Sequence, residues 1–208
     1  MNLQWYNWAK RVQTIADNGL TFAESPFDIE RYEMLQHMAR EIRAKGADAD
    51  ITELKEIDSQ EFRHYSTPKV GGRGVVFRND ALLLVREYRD NCWILPGGWV
   101  DVGESPSEAI VREIYEESGY RTRVLKLLAI YNRNVPNHRL QFLYNIYSLF
   151  FLCELIGGSA ATSIETSDVG FFDEDKIPEE LSLPGVTPAQ ITRLFEHYRH
   201  PEWPTDYD

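Results

Sequence analysis

The sequence predicts an α/β protein in which a small helical segment precedes a mixed sheet with helices packed on its faces. Two observations carry this prediction. Apolar residues recur at helical spacing over about the first 60 positions. From position 67 onward, the pattern changes to short runs of β-branched, aromatic and aliphatic residues separated by turn signals. One well-marked helix interrupts these runs and another follows them, which is the order of a sheet covered by helices.

Three helices are expected in the N-terminal domain, residues 1–64. The first carries apolar residues at helical spacing and has a stop signal at 17–19. The second covers about 26–45, and a third covers 50–57. The apolar positions that define the first two helices are Trp5, Trp8, Val12, Ile15, Ile29, Tyr32, Leu35, Met38 and Ile42. This domain is either a packing or dimerisation element or a lid over a ligand.

The sheet is expected in the second domain, residues 67–204. Strand-like runs lie at 69–77, 81–86, 92–95, 123–131, 141–155 and 169–172. A last helix begins after Thr187. The run Thr187-Pro188-Ala189-Gln190 supplies an N-cap, a proline at the first helical position and a capping-box glutamine.

Composition excludes several classes of protein. The chain has 208 residues, of which 43% are hydrophobic, so it can bury a sizeable core. Its net charge is -11, and residues 67–150, with 11 basic and 9 acidic side chains, are the only net positive part. This balance argues against a nucleic-acid partner and is compatible with a small anion.

Membrane insertion and secretion are not indicated. The most apolar run, 142–156, is too short and too polar to span a bilayer, and the N-terminus lacks a secretory signal pattern. Cys92 and Cys153 have no metal-site spacing and are expected to be buried, reduced thiols. A cytoplasmic location is therefore the expectation.

The helix at 106–118 has the clearest limits in the chain. Ser105 and Glu108 form a capping box around Pro106, and Gly119 offers a C-terminal cap. At about 100° per residue, three glutamates fall within an arc of roughly 100°, and an apolar arc lies beside them. The glutamates are Glu113, Glu116 and Glu117, and the apolar residues are Ile110, Val111 and Ile114.

This acidic edge has two interpretations. On an open surface the three carboxylates are simply solvated, and their repulsion amounts to a few tenths of a kcal/mol. If they are partly buried, the repulsion becomes large unless a cation lies among them. Oxygen ligands at i, i+3 and i+4 suit Mg²⁺ or Mn²⁺, which can bridge a diphosphate and activate a water molecule.

The wider spacing favours the metal interpretation. Gly98 is followed after five residues by Glu104, and after seven more by the run 112–119 with the sequence REIYEESG. This pattern closely resembles the Nudix box, G-x5-E-x7-R-E-U-x-E-E-x-G-U. The one departure is Tyr120, where an aliphatic residue is usual, and we expect it to alter packing rather than chemistry.

The resemblance implies an α/β/α sandwich with a mixed sheet and a role for each matching residue. Glu113, Glu116 and Glu117 correspond to the metal ligands, completed by a backbone carbonyl at Gly97 or Gly98. Arg112 corresponds to the residue that orients the glutamates, and Glu104 to a supporting carboxylate. In this family the base is a box glutamate or an acid from a later loop, where Glu165 is the candidate, so the predicted catalytic residues are Glu113, Arg112 and Glu165. Asp168 and Glu174 are its rivals.

A second resemblance concerns the N-terminal segment. The runs WYNWAKRVQTIADNGLTF and SPFDIERYEML are similar to the helical domain of Nudix enzymes that cleave nucleoside diphosphates linked to a moiety X, including CDP-choline and ADP-ribose. This implies a small nucleotide substrate and products NMP and X-phosphate. Candidates for phosphate contacts are Arg73, Arg133 and Arg139. Candidates for base stacking or for caging a choline group are Trp99, Tyr131 and Phe142. The alternative places these residues on a solvated face or in the core.

Two other functions share the acidic helix. A nucleoside triphosphate housecleaning pyrophosphatase has less need of the N-terminal helices, and a non-catalytic nucleotide sensor has less need of intact glutamates. The N-terminal apolar residues require burial, so we also expect a homodimer formed through or beside these helices.

Overall fold

The computed structural model describes residues 3–47, 67–101, 103–133, 145–183 and 185–208. They fall into two compact units, a helical N-terminal unit and an α/β unit that begins at Lys69. The third helix predicted over 50–57, the start of the strand predicted over 141–155, and the candidates Arg139 and Phe142 lie outside the described residues. None of the described helices is long and apolar enough to cross a membrane.

The described part of the N-terminal unit consists of α1, Leu3–Phe22, and α2, Pro26–Ala47. The predicted stop at 17–19 is wrong, because α1 continues through it. A Cβ atom at Gly19 would lie 2.3 Å from the ring of Tyr32. Glycine is therefore present to let α2 approach closely, and this contact outweighs its weak helix propensity.

Small and polar residues form the interface between α1 and α2. Ala9, Ala16 and Ala39 are completely buried, and Asp17 accepts hydrogen bonds from Gln13 and Gln36 at 2.8 and 2.7 Å. Several large apolar side chains of both helices are instead exposed. They are Trp5, Trp8, Ile15 and Phe22 on α1, and Phe27, Met34 and Met38 on α2.

Seven strands form one mixed sheet in the described part of the α/β unit. The strands are β1 Lys69–Arg78, β2 Ala81–Glu87, β3 Trp93–Ile94, β4 Tyr120–Asn132, β5 Ile146–Gly158, β6 Thr166–Phe172 and β7 Asp206–Tyr207. The order is β3-β2-β1-β5-β4-β7, with β6 beside β2. β1 pairs with β5 and β4 with β7 in parallel, and the other pairs are antiparallel. The predicted mixed sheet is confirmed.

Two helices cover the sheet, α3 over Pro106–Ser118 and α4 over Pro188–Arg199. Ile110 and Ile114 of α3 pack with one buried cluster, which contains Val76, whereas α4 packs with the cluster that contains Val75. Successive residues of a strand face opposite sides of a sheet, so the two helices cover opposite faces. The α/β/α prediction is therefore confirmed.

Two glycines of β1 let α3 lie close to the sheet. A Cβ atom at Gly72 would lie 2.7 Å from Ile110 Cδ1, and one at Gly74 would lie 2.5 Å from Ile114 Cδ1. Tyr120, the departure from the box pattern, is buried in the same layer with its ring edge-to-face against Phe171. The sheet-facing side of the acidic helix is thus fixed by tight packing.

The C-terminal segment closes the sheet at β4. Arg193 of α4 donates to both carboxylate oxygens of Asp206, at 2.5 and 2.9 Å. These hydrogen bonds hold the pKa of Asp206 well below its usual range. Thr205 donates to the carbonyl of Leu127 at 2.8 Å, so the segment is tied to both α4 and β4.

The cysteines differ in their surroundings. Cys153 is buried on β5, as expected, and burial raises the pKa of its thiol to about 12. Cys92 is half-buried rather than buried. Both thiols are free.

Candidate active site

The caps of α3 place the acidic residues at defined positions. The Ser105 side chain accepts from the Glu108 amide while the Glu108 carboxylate accepts from the Ser105 amide, so both halves of the predicted capping box are present. Gly119 ends the helix with φ 74°, a left-handed conformation that favours glycine. The helix covers 106–118 as predicted.

Arg112 holds three carboxylates with one guanidinium group. Its Nε and Nη2 atoms donate to the two oxygens of Glu104, both at 2.8 Å. Its Nη1 atom donates to Glu113 and to Glu116, each at 3.0 Å. The hydrogen bonds with Glu104 raise the pKa of Arg112 above its ordinary value and lower that of Glu104. Glu104 therefore anchors the arginine, which in turn orients two of the helix glutamates.

Glu117 is the most buried of the three glutamates, with 5% of its surface exposed. Its carboxylate accepts a hydrogen bond from the Gly97 amide at 2.8 Å. Burial nevertheless raises the pKa of Glu117 to about 8. A carboxylate in this position has lost most of its hydration, and this loss makes a cation at the site favourable.

Glu113 lies against the backbone of Gly98. A Cβ atom at Gly98 would be 2.5 Å from Glu113 Oε1, so only glycine leaves room for this carboxylate. Burial raises the pKa of Glu113, Arg112 opposes the rise, and the charges of Glu116 and Glu165 add to it. The site is thus crowded with negative charge on this side of the helix.

Arg73 and Glu117 both bind the backbone of Gly97, Arg73 at its carbonyl and Glu117 at its amide. Arg73 is buried and donates to the carbonyls of Leu95, at 3.1 Å, and Gly97, at 2.6 Å. Desolvation lowers the pKa of Arg73, and the charge of Glu117 opposes this. The Gly98 carbonyl accepts from the Gly72 amide at 2.9 Å. Arg73, singled out as a phosphate contact, therefore supports the loop that faces the acidic helix.

The three candidates for the later acid occupy different places. Glu165 lies on an exposed loop, and its charge acts on Glu113. The Asp168 carboxylate accepts from the next amide, that of Val169. Glu174 forms an ion pair with Arg199 of α4. Of the three, Glu165 is the one whose charge contributes to the pKa shift of Glu113.

Trp99 forms a bridge with Gly71 of β1, and Arg133 directly follows β4. Trp99 is 44% exposed, with Lys69 Nζ 5.8 Å from its ring centroid. The Arg133 amide donates to Ile146, which places this arginine at the end of β4. Burial, and then the charges of Arg73 and Arg89, lower the pKa of Arg133 to about 10. Trp99 therefore provides an exposed aromatic ring, and Arg133 provides a cationic group.

Glu87 and Arg89 were missed by sequence reasoning. They form an ion pair at 2.9 Å at the end of β2, whose last residue is Glu87, and Glu87 acts electrostatically on Arg73, Glu117 and Arg133. The available signal is the charged run 86–90, which follows directly after an apolar strand. Glu87 is distant in sequence from Glu117 and Arg133, on which its charge acts, so the charged run alone does not reveal that it lies near the site.

The carboxylates are bound to protein donors in this structure. Among the described residues, no three His, Cys, Asp or Glu side chains are gathered in the geometry of a metal site. Glu113 and Glu116 share one nitrogen of Arg112, and Glu117 binds the Gly97 amide. The donor set is nonetheless made of hard oxygen atoms, which fits Mg²⁺ or Mn²⁺ rather than a soft metal.

Comparison with protein families assigns both parts of the chain. Residues 68–194 match the model described as the NUDIX domain. Residues 3–57 match the model described as "UDP-X-like, N-terminal oligomerisation domain". The first match covers more than half of the chain and contains the whole acidic helix.

Two curated relatives are similar to this chain. A Bacillus subtilis (strain 168) protein named "Putative ADP-ribose pyrophosphatase YjhB" is 40% identical over 205 residues, which cover 99% of this chain and 97% of that protein. The ADP-ribose pyrophosphatase of Methanocaldococcus jannaschii is 31% identical over 129 residues, 61% of this chain and 74% of that protein.

Solved structures show the same fold. A UDP-X diphosphatase structure has a TM-score of 0.62 and 33% identity, covering 99% of this chain and 98% of that one. An ADP-ribose pyrophosphatase from Streptococcus suis 89-1591 has a TM-score of 0.61 and 36% identity, covering 68% of this chain and all of that one.

Proposed function

The chain belongs to the Nudix hydrolase family, and from that premise we propose that it is a metal-dependent pyrophosphohydrolase of nucleoside diphosphates linked to X. The products are a nucleoside monophosphate and X-phosphate. One observation carries the proposal. The carboxylates of Glu113 and Glu117 are largely buried and lie against the backbone of Gly97 and Gly98. Both are on the edge of α3 that also carries Glu116.

The ligands that we propose for Mg²⁺ or Mn²⁺ are Glu113, Glu116 and Glu117, with the carbonyl of Gly98. The bound ion supplies charge neutralisation for the diphosphate and activates a water molecule. Arg112 donates two hydrogen bonds to Glu104, which hold its guanidinium group in the position that orients the glutamates. Such outer contacts typically change metal affinity or activity about 10- to 100-fold when they are removed.

Glu165 is our proposed general base. A water oxygen attacks one phosphorus of the substrate, and Glu165 accepts a proton from that water. The bond between this phosphorus and the bridging oxygen breaks, and its electron pair leaves with the other phosphate. The exposed Glu165 carboxylate, with its charge acting on Glu113, supports this role better than the engaged carboxylates of Asp168 and Glu174.

Substrate binding is assigned to Arg133 and Trp99, whereas Arg73, which donates to the carbonyls of Leu95 and Gly97, supports the loop that faces the acidic helix. Arg133 is partly buried, and desolvation disfavours its charged form, so an anionic diphosphate stabilises it. Trp99 offers an exposed ring for a base or for X. ADP-ribose is the first candidate substrate, because the names of two relatives of this chain contain "ADP-ribose pyrophosphatase". A CDP-alcohol such as CDP-choline is the second.

A substrate panel tests the proposal. The protein is incubated with Mg²⁺ or Mn²⁺ and with ADP-ribose, UDP-sugars, CDP-choline, dinucleoside polyphosphates and NTPs, and the products are identified. We expect NMP and X-phosphate from at least one NDP-X, and loss of turnover with EDTA. Cleavage of NTPs alone would identify a housecleaning enzyme. Binding without cleavage would identify a nucleotide sensor.

Glu165→Gln tests the base. The amide has nearly the same shape but cannot take a proton, and general base catalysis contributes about 10²–10⁴-fold to rates. We expect a fall in kcat within this range, with KM little changed. The matched control is Glu174→Gln, which alters an acid already paired with Arg199. A Glu165→Gln protein with wild-type kcat would remove the assignment.

The N-terminal unit supports a homodimer. At about 100° per residue, the exposed apolar side chains of α1 fall on one face, and Phe27, Met34 and Met38 form one stripe on α2. Such a stripe on a soluble chain marks an interaction surface, and the matching family model is described as an oligomerisation domain. Light scattering should give twice the chain mass, and Phe27→Asp with Met34→Asp should give the monomer. A monomeric wild-type protein contradicts this proposal.

A further inference from the structure

Thr166 joins the loop of Glu165 to the acidic helix. It is completely buried at the start of β6, directly after Glu165. Its hydroxyl donates to the backbone carbonyl of Glu117 at 2.8 Å. That carbonyl lies in the last turn of α3, where carbonyl groups have no partner within the helix. The hydroxyl therefore supplies the missing donor and links two parts of the chain that are distant in sequence.

Ser163 completes a directional network around Thr166. Its Oγ atom accepts from the amides of Glu165 and Thr166, at 3.0 and 3.1 Å. The Thr166 proton is already used on Glu117, so Ser163 donates the hydrogen bond between the two hydroxyls, at 3.1 Å. The Ser163 amide also donates to Thr166 Oγ1 at 3.0 Å. Each hydroxyl thus donates once and accepts twice, which is its full capacity.

Two backbone contacts fix the same loop. The Tyr88 amide donates to the Glu165 carbonyl at 2.8 Å, and the Ala161 amide donates to the Ser118 carbonyl at 2.9 Å. Glu165 itself is exposed. The backbone of Glu165 is therefore held from both sides, relative to the end of α3.

We infer that Thr166 is a positioning residue, which fixes the Glu165 carboxylate relative to the glutamates of α3. The inference rests on the proposed function, in which Glu165 accepts the proton of the attacking water. Thr166 has no contact with the reacting atoms in this scheme and acts through Glu165. Valine has almost the shape of threonine but neither donates nor accepts a hydrogen bond, so Thr166→Val isolates the hydroxyl.

The first experiment compares steady-state kinetics on the NDP-X found in the panel. Because a 1 Å displacement of a positioned group costs up to about 100-fold, we expect Thr166→Val to lower kcat about 10- to 100-fold with KM within about twofold. Thr166→Ser retains the hydroxyl and should keep kcat within about threefold of wild type. The control is Thr122→Val, since Thr122 Oγ1 on β4 is buried and has no hydrogen-bond partner in the described part of the chain. Its kcat should not change.

A double mutant distinguishes positioning from general damage. If Thr166 acts through Glu165, then Thr166→Val should cause no further loss in a Glu165→Gln protein. Multiplying losses would overturn the inference, and so would unchanged kcat in Thr166→Val or in Glu165→Gln. If Thr166→Val does not fold, Ser163→Ala removes the acceptor for the Glu165 amide and should give the same pattern. Absence of hydrolysis by the wild type is a separate result and would overturn the proposed function itself.

Discussion

Gly98→Ala tests whether Glu113 needs its place against the backbone. Gly98 is not among the glycines with positive φ, so its backbone accepts alanine. The new Cβ atom would lie 2.5 Å from Glu113 Oε1, whereas ordinary contact begins at 3.4 Å. The carboxylate must therefore move by about 1 Å, and displacements of this size cost up to about 100-fold in rate.

The same substitution should leave stability almost unchanged. The atom that must move is the end of a flexible side chain, and Gly-to-Ala replacement at a compatible backbone stabilises by about 0.4–1 kcal/mol through the unfolded state. We expect kcat to fall about 10- to 100-fold while the midpoint of thermal unfolding stays the same or rises slightly. Turnover of the NDP-X substrate and calorimetry on the same sample measure the two quantities.

The control and the refuting result are both defined by geometry. Gly157→Ala is the matched control, because a Cβ atom there meets nothing within 4 Å and its φ is not positive. It should leave kcat unchanged, and its stability should likewise stay the same or rise by up to about 1 kcal/mol. Alanine at position 98 retains the backbone carbonyl. If only this carbonyl mattered for turnover, Gly98→Ala would cause no loss of kcat. A Gly98→Ala protein with wild-type kcat would show that Glu113 does not need its position against Gly98.

Three further predictions concern the residues that hold the helix and the C-terminal segment. Arg112→Lys cannot bind Glu104 through two parallel hydrogen bonds, so the Mn²⁺ concentration for half-maximal turnover should rise about 10-fold or more. Gly74→Ala overpacks Ile114 and should cost about 1–3 kcal/mol in urea unfolding. Asp206→Asn should cost about 2 kcal/mol at pH 7. Because the folded-state pKa of Asp206 is lowered, its contribution is present above the unfolded pKa of about 4 and is lost as pH falls toward the folded value. The unfolding free energies of wild type and Asp206→Asn should therefore converge in acid.

Local signals were sufficient for the acidic helix. The capping box at Ser105 and Glu108 and the left-handed Gly119 act within a few residues, and the structure has the helix limits that they predict. The strand at 69–77 was likewise readable, since β1 differs by one residue. The stop at 17–19 failed because Gly19 serves a contact with Tyr32, in another helix, and nothing near Gly19 in sequence encodes that contact.

The environment of each glutamate depended on contacts that no local pattern reveals. Glu117 binds the Gly97 amide across 20 residues, and its carbonyl binds Thr166 across 49. The helix that carries the three glutamates contains no lysine. In the structure, Arg112 offsets part of their charge, whereas among the described residues the Glu117 carboxylate has a backbone amide as its hydrogen-bond partner. A buried carboxylate with so weak a partner is costly, and a divalent cation is the group that offsets this cost most directly. Burial of the Glu117 carboxylate therefore lowers the stability of the fold without a cation. In the function that we propose, cation binding removes this cost, so the same burial favours binding.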